Sequence, residues 1–176
     1  FFVNFFFDMK TNISILGSTG SIGINTLKII KRKNELFSIN ILIANKNYNL
    51  ICKQIIDFKP SVFIINNETV YKKVKNKFKN KKIKIFNNLG DYKNSTINSD
   101  ITVAAIPGIA GLSPTVKMIK KSKKILLANK ESVICGWNLI KKESLKYKTK
   151  IIPIDSEHYS IMKLIENEKI KDIKKI

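Results

Sequence analysis

Cysteine, histidine and arginine are scarce in this chain of 176 residues, and the scarcity weakens the case for several kinds of site. Cys52 and Cys135 lie far apart without C-x-x-C spacing, so neither a zinc site nor a redox pair is supported. We expect both thiols to be small buried side chains in a reducing compartment. His158 is the only histidine, and we expect it to be a hydrogen-bonding group behind a site rather than a ligand or a base.

Long hydrophobic runs are missing too. The opening segment 1–7 is apolar but too short to span a bilayer, and it lacks the flanking features of a signal peptide. Met9 follows at once, which indicates a natural start there, with residues 1–8 as an added stretch. The ordered pattern begins near Asn12, so residues 1–11 are predicted to be an unstructured extension. We expect a cytoplasmic protein without a membrane partner.

Acidic residues are few, with 13 against 33 basic ones, and the formal net charge is +20. Such a surplus is typical of nucleic-acid-binding proteins. Here, however, lysines are spread over nearly every predicted helix and loop, and Arg32 is the only arginine. The basic stretches therefore lack the arginines that bind phosphate with two parallel hydrogen bonds. The excess therefore indicates a compositional drift along the whole chain, and we expect no nucleic-acid partner.

Glycine is sparse, yet three of the seven glycines fall in the segment Gly17-Ser-Thr-Gly-Ser-Ile-Gly23. This segment separates a short apolar run from a stretch with helical spacing, the context of a dinucleotide-binding turn. Glycines permit the tight turn, the approach of the backbone to a pyrophosphate, and close helix–strand packing. Thr19 and Ser21 add hydroxyl donors. The spacing differs from the commoner G-x-G-x-x-G, and a turn that binds nothing remains an alternative.

Buried strands alternate with helices along most of the chain, which predicts an α/β fold with a Rossmann-like, doubly wound, mostly parallel sheet. The predicted strands are 13–16, 37–44, 61–65, 84–86, 100–106, 124–128 and 150–154. The carboxyl ends of such strands face the ligand crevice, so the residues that follow them are the candidates for a site.

No acidic residue follows the second strand, where an NAD-binding fold carries one for the ribose hydroxyl. The segment Asn45-Lys46-Asn47 stands there instead. A lysine between two amides suits a 2′-phosphate, which predicts NADPH as the cofactor. A polar loop in a chain rich in lysine and asparagine is the alternative.

Asn129 and Lys130 follow the sixth predicted strand. Lys130 can grip a phosphate or a carbonyl oxygen, and Asn129 can fix a ribose or a nicotinamide amide. Alternatively, Asn129 caps the next helix while Glu131 lies in its first turn. Both interpretations can hold together.

Asp155 and Glu157 follow the last strand, one residue apart. Two carboxylates so placed can converge on one divalent cation, and oxygen ligands favour Mg²⁺ or Mn²⁺ over zinc. Alternatively, Asp155 or Ser156 caps the following helix, and Glu157 interacts favourably with the helix dipole.

Three motifs together resemble the 1-deoxy-D-xylulose 5-phosphate reductoisomerase family. They are Gly17–Gly23, Leu127-Ala-Asn-Lys-Glu-Ser132 and Ile152-Pro-Ile-Asp-Ser-Glu-His158, and the resemblance runs from about Asn12 to the C-terminus. It implies the rearrangement and NADPH-dependent reduction of 1-deoxy-D-xylulose 5-phosphate to 2-C-methyl-D-erythritol 4-phosphate, in non-mevalonate isoprenoid synthesis. It also implies Mg²⁺, Mn²⁺ or Co²⁺ as the metal, and a homodimer in the full-length form.

The resemblance implies roles for individual residues as well. It implies NADPH contacts for Thr19, Gly20, Ser21, Ile22, Lys46, Asn47, Asn129 and Glu131. It implies substrate contacts for Lys130, Ser156 and Glu157, and metal ligation by Asp155 and Glu157. Lys130, Asp155 and Glu157 are then the catalytic candidates, and Gly17, Gly23 and Asn45 complete the cofactor set. Asn45 stands where the family usually has glycine.

The resemblance also predicts a division of the chain. Residues 12–150 correspond to an NADPH-binding domain, and 151–176 to the start of an α+β catalytic domain. The family's third metal carboxylate, substrate-phosphate pocket and lid fall beyond Ile176. We therefore expect cofactor binding and little or no turnover from this chain alone. The alternative is a non-catalytic NADP(H)-binding remnant.

Overall fold

The computed structural model describes residues 10–92 and 98–167. These residues form seven strands and six α-helices, with a short 3₁₀ helix at Ile109–Gly111. The strands are β1 (Thr11–Leu16), β2 (Phe37–Ala44), β3 (Val62–Ile65), β4 (Lys84–Phe86), β5 (Ser99–Ala104), β6 (Ser122–Leu127) and β7 (Lys150–Pro153). The helices are α1 (Ser21–Arg32), α2 (Tyr48–Phe58), α3 (Glu68–Lys77), α4 (Leu112–Ile119), α5 (Lys130–Tyr147) and α6 (Ser156–Ile165).

All seven strands join one sheet in the order β4-β3-β2-β1-β5-β6-β7. Every neighbouring pair is parallel, so the expected mostly parallel sheet is a fully parallel one. The chain builds outward from β1 to β4, returns to the other side of β1, and builds outward again to β7. The order therefore reverses between β1 and β5, and ligands of open α/β sheets bind at the carboxyl ends of strands at such a point.

Hydrophobic side chains cover both faces of the sheet because successive residues of a strand point to opposite sides. On β2, Leu42 packs in one core cluster, whereas Ile41 and Ile43 pack in the other. The first cluster includes buried residues of α1, α2 and α3, and the second includes residues of α4 and α5. Both clusters draw on strands from the two halves of the sheet, which ties the halves into one packed unit.

Asparagine side chains begin several helices. Asn47 accepts a hydrogen bond from the Leu50 backbone N–H at 3.1 Å at the start of α2, and Asn67 does the same for α3. Helix α2 ends at Phe58, and its C-cap Lys59, with a left-handed φ of +46°, is followed by Pro60. The two asparagine side chains supply acceptors for amides that the start of a helix leaves unpaired.

One expectation needs correction, and a second is not evident in the structure. Cys52 is buried as predicted, but Cys135 is exposed, because the buried face of α5 runs through Ser132, Gly136 and Ile140. Within the described residues, the start of an α+β domain is not evident, since β7 joins the same sheet as the other strands. The expected extension falls on residues 1–9, outside the described part, and on two residues within it, of which Thr11 already begins β1. No helix in the described part is both long and apolar enough to cross a membrane.

Candidate functional site

A cleft of about 510 Å³ lies at the carboxyl ends of β1, β5, β6 and β7. It adjoins the point where the strand order reverses. Its walls come from four consecutive parts of the sheet edge, and each wall is a segment that follows a strand. The lining residues are Gly20, Ser21, Ile22, Ala105, Pro107, Ala128, Lys130, Glu131, Ile154, Asp155, Ser156 and Glu157.

The glycine turn fits tightly between its neighbours. Gly17 has a φ of +85°, and a Cβ there would lie 2.7 Å from the Ala105 carbonyl oxygen. A Cβ at Gly23 would overlap the Gly17 carbonyl oxygen and lie 2.7 Å from the Ser18 Cα. Both glycines are therefore required for the packing of the turn against β5 and α1, and they lie behind the cleft rather than in its lining.

Helix α1 begins at the cleft, and no side chain accepts a hydrogen bond from its terminal amides. Its N-cap is Gly20, which makes no capping hydrogen bond, and its first turn contains no acidic residue. Gly20, Ser21 and Ile22 are exposed and line the cleft, while Thr19 is half-buried in the turn before them. Free N–H groups and the positive end of the helix dipole make this terminus suited to an anion.

Asn45, Lys46 and Asn47 are all exposed at the carboxyl end of β2. They do not line the cleft, but the adjoining Ile43 carbonyl accepts hydrogen bonds from the amides of Gly17 and Ser18, both at 2.9 Å. The end of β2 and the glycine turn are thus joined directly. Asn47 is committed to capping α2, whereas the Lys46 ammonium makes no hydrogen bond or ion pair with the described residues.

Asn129 is only 3% exposed and lies behind the cleft wall. Its side-chain oxygen accepts from the Ser132 N–H at 2.9 Å and so caps α5. Its side-chain nitrogen donates to the carbonyl oxygens of Ile106 and Gly108, the latter at 2.8 Å. The capping interpretation of Asn129 is confirmed, and its side-chain nitrogen is engaged by two backbone carbonyl groups.

Lys130 and Glu157 face each other across the cleft. The Lys130 Nζ lies 3.4 Å from Glu157 Oε1, and the Ser156 hydroxyl donates to Glu157 Oε2 at 2.8 Å. The Ser156 hydroxyl and the Glu157 backbone N–H, together with Lys130, hold the pKa of the Glu157 carboxyl below its ordinary value. Glu157 is therefore a carboxylate at neutral pH, on the same wall as Asp155. Glu131 lines the cleft beside Lys130 in the first turn of α5.

Asp155 has one committed and one free carboxylate oxygen. Oδ1 accepts from the His158 N–H at 2.9 Å, which caps α6, and lies 2.7 Å from His158 Nδ1. Oδ2 is buried and has no hydrogen-bond partner in the described chain. A buried carboxylate oxygen without a partner is costly unless a cation approaches it.

A divalent cation fits the residues that line this part of the cleft. The donors are carboxylate oxygens, which suit Mg²⁺ or Mn²⁺. Asp155 and Glu157 offer two candidate ligands, and the described residues contain no cluster of three or more His, Cys, Asp or Glu groups that could hold a metal. Further ligands must come from outside the described residues. The capping and metal-binding interpretations of Asp155 use different oxygens, so they do not compete.

Two features of the site were not predicted from the sequence. Ala105, Pro107, Ala128 and Ile154 line the cleft, although no role in the site is predicted for them from the sequence. The glycine turn is also bound to α2, since Ser18 and Gln54 exchange two buried hydrogen bonds of 2.7 and 2.8 Å. The sequence feature that could have indicated this contact is Gln54, a polar residue on the apolar side of α2.

Comparison with known proteins agrees with the resemblance that the three sequence motifs indicate. A family model described as 1-deoxy-D-xylulose 5-phosphate reductoisomerase matches residues 13–136. The protein of that name from Pelagibacter ubique (strain HTCC1062) is 46% identical over 168 residues, which cover 93% of this chain and 43% of that protein.

Solved structures agree with the sequence matches. DOX-P reductoisomerase in complex with NADPH, fosmidomycin and magnesium matches with a TM-score of 0.80 and 31% identity, covering 90% of this chain and 40% of that one. The enzyme from Zymomonas mobilis in complex with NADPH matches with a TM-score of 0.77 and 29% identity, covering 85% of this chain and 40% of that one. The chain thus spans about two fifths of the length of the relatives it matches.

Proposed function

The chain belongs to the 1-deoxy-D-xylulose 5-phosphate reductoisomerase family, and we propose that it is the NADPH-binding, N-terminal part of such an enzyme. One observation carries the proposal. The uncapped N-terminus of α1 and the carboxylates of Asp155 and Glu157 line the same cleft. An anion site and a cation site side by side suit a reaction that brings a dinucleotide and a metal-bound substrate together.

The cofactor lies, in this proposal, with its pyrophosphate on α1. The amides of Ser21 and Ile22 donate hydrogen bonds to the phosphate oxygens, Gly20 lets the backbone approach them closely, and the hydroxyls of Thr19 and Ser21 add donors. The 2′-phosphate of the adenosine lies beside Lys46 at the end of β2, where no acidic residue repels it. The nicotinamide then lies towards Glu131, with Asn129 behind it.

Substrate and metal occupy the other side of the cleft. Asp155 Oδ2 and Glu157 would hold a divalent cation, which when bound would supply Lewis-acid polarisation of a substrate carbonyl. Lys130 and Ser156 bind substrate oxygens beside it. NADPH would supply the hydride for the reduction that follows the rearrangement of the carbon skeleton. The product is 2-C-methyl-D-erythritol 4-phosphate of the non-mevalonate isoprenoid route.

The remaining proposals concern the whole protein. We propose a cytoplasmic enzyme that acts on a phosphorylated sugar as a homodimer in its full-length form. Residues 12–150 form the NADPH-binding domain, and the catalytic domain begins with residues 151–176. The alternative is a non-catalytic NADP(H)-binding remnant.

Cofactor titration of the 176-residue chain tests the proposal. NADPH fluorescence should rise to saturation on binding, and NADH should bind more weakly. With Mg²⁺ and 1-deoxy-D-xylulose 5-phosphate added, we expect little or no NADPH oxidation by these residues alone. Failure of NADPH to bind at all would remove the proposal. An in-frame coding sequence after Ile176 that supplies a third metal carboxylate would exclude the remnant.

A further inference from the structure

We propose that Asn129 is a positioning residue, whose buried amide fastens the loop after β5 to the start of α5 and thereby sets the nicotinamide side of the cleft. The inference rests on the proposed function, because it concerns NADPH. It differs from the cofactor contact that the resemblance implies for Asn129. Here the side chain acts on the cofactor only through the backbone segments that it holds.

The hydrogen bonds of Asn129 leave its amide little capacity for a ligand. Both of its donor positions are used, by the carbonyl oxygens of Ile106 and Gly108, and its oxygen accepts from Ser132. The residue is 3% exposed and is absent from the cleft lining. Its polar atoms are therefore satisfied by the protein itself.

The hydrogen bonds of Asn129 hold two short segments, and each segment contains residues that line the cleft. Pro107 lies between the two carbonyl groups that accept from Asn129, and it forms one wall. Lys130 and Glu131 lie between Asn129 and Ser132, and they form the adjacent wall. One amide thus fixes two walls relative to each other, across a sequence separation of 21 to 23 residues.

Gly111 is the second component of this arrangement. A Cβ at Gly111 would overlap both the Asn129 side-chain nitrogen and the Ile106 carbonyl oxygen. Its own φ is not in the left-handed region, so the requirement for glycine here is one of space rather than of backbone conformation. Gly111 is buried and does not line the cleft. A substitution there disturbs the arrangement without removing any group that could contact a cofactor.

The test compares two ligands on purified variants of the 176-residue chain. In the proposed placement NADPH extends from Lys46 to the nicotinamide side of the cleft, whereas adenosine 2′,5′-bisphosphate carries only the adenosine side. Asn129→Ala, Asn129→Asp and Gly111→Ala should each weaken NADPH binding by about tenfold, on the scale of a buried polar group left unpaired. The affinity for adenosine 2′,5′-bisphosphate should stay within about twofold of that of the unaltered chain.

Thr149→Val provides the matched control. Thr149 is buried, and its hydroxyl donates to the carbonyl oxygens of Ile119 and Ser122 at 2.7 and 2.9 Å. It therefore also bridges two backbone carbonyl groups, but it does so at the amino end of β7, whereas the cleft lies at the carboxyl ends of the strands. The control should lower the unfolding midpoint and leave the affinities for both ligands unchanged.

The outcomes are separable. If the unaltered chain binds neither ligand, the proposed function fails and this inference fails with it. If the chain binds NADPH and Asn129→Ala binds it equally well, only the positioning role is overturned. A loss for Asn129→Ala without a loss for Gly111→Ala indicates direct contact and also overturns it. An equal loss of affinity for both ligands would indicate general destabilisation and would also overturn the positioning role. Should the Asn129 variants not fold, Gly111→Ala decides alone.

Discussion

Lys46 carries the proposed choice between the two nicotinamide cofactors. Its exposed ammonium follows β2, next to the strand end whose Ile43 carbonyl holds the glycine turn. No carboxylate lies in the segment 45–47 to accept a ribose hydroxyl, as in NAD-binding folds. The residue therefore offers charge complementarity to a phosphate and little to a hydroxyl.

Lys46→Glu should weaken NADPH binding by at least about tenfold and change NADH binding little, because it replaces attraction of the 2′-phosphate by repulsion. Titration by cofactor fluorescence at fixed ionic strength measures both. Lys142→Glu is the control, since it makes the same charge change at an exposed position of α5. An equal loss for the two cofactors would contradict the assignment of Lys46 to the 2′-phosphate.

Asp155 combines a helix cap and a candidate metal ligand in one side chain, and a substitution can separate them. Asn also caps helices well, so Asp155→Asn should keep the free energy of unfolding within about 0.5 kcal/mol. Asp155→Ala should lose about 1 kcal/mol, because the His158 N–H loses its acceptor. Both variants should lose Mn²⁺ binding, measured by water-proton relaxation.

The control for this pair is Asn67→Ala, which removes the cap of α3 and should destabilise the chain without affecting Mn²⁺. In a full-length version, Asp155→Asn should abolish the activity that depends on a divalent ion. Retained Mn²⁺ binding in Asp155→Asn would reassign the residue to capping alone.

At the scale of elements, Asp100 joins three strands. Its Oδ2 accepts from the Asn12 N–H on β1 at 2.9 Å, and its Oδ1 pairs with Lys123 on β6 at 2.7 Å. Lys123 and the Asn12 amide hold the pKa of the Asp100 carboxyl below its ordinary value. A lowered pKa in the folded state means that the contribution to stability is present above the unfolded pKa, near 4, and is lost as the pH falls through the folded pKa.

Asp100→Asn should therefore lower the free energy of unfolding by about 1 kcal/mol at pH 7, and by progressively less as the pH falls below 4. Urea unfolding at a series of pH values measures the difference. Asp57→Asn is the control, because Asp57 meets Lys31 only at 4.0 Å and should change stability less. A loss for Asp100→Asn that is the same at pH 3 and pH 7 would contradict the charge-based account.

The elements were largely predictable from the sequence, because hydrophobic periodicity reflects burial. The predicted strands 37–44 and 84–86 coincide with β2 and β4. The boundaries that differed were set by long-range contacts. The strand predicted to reach Ile106 ends at Ala104, and the Ile106 carbonyl accepts from Asn129 instead.

The candidate site was predictable in position but only partly in detail. Motifs after β1, β6 and β7 indicated residues at the carboxyl edge, and the cleft brings many of them together. What Asn129 bonds to, and which oxygen of Asp155 remains free, depends on residues distant in sequence or on the local orientation of the side chain. A residue pattern cannot specify those contacts, which follow from the packing of whole segments.

At the scale of the molecule, the two core clusters predict one cooperative unit. The cluster around Phe63 also contains Val103 of β5, and the cluster around Met118 also contains Ile41 of β2. Neither half of the sheet therefore has a hydrophobic core of its own. Trp137 on α5 is the only tryptophan, so its fluorescence reports on the second half, while far-ultraviolet circular dichroism reports on all helices.

We expect the two signals to give the same urea midpoint, because unfolding either half exposes the core of the other. NADPH, placed across the reversal in strand order, should shift both midpoints together. At a concentration 100 times its dissociation constant, the stabilisation should be about 2.7 kcal/mol. An equal concentration of NADH, which we expect to bind more weakly, should shift them less. Separate midpoints, or a shift in only one signal, would mean that the halves unfold independently and that the cofactor contacts only one of them.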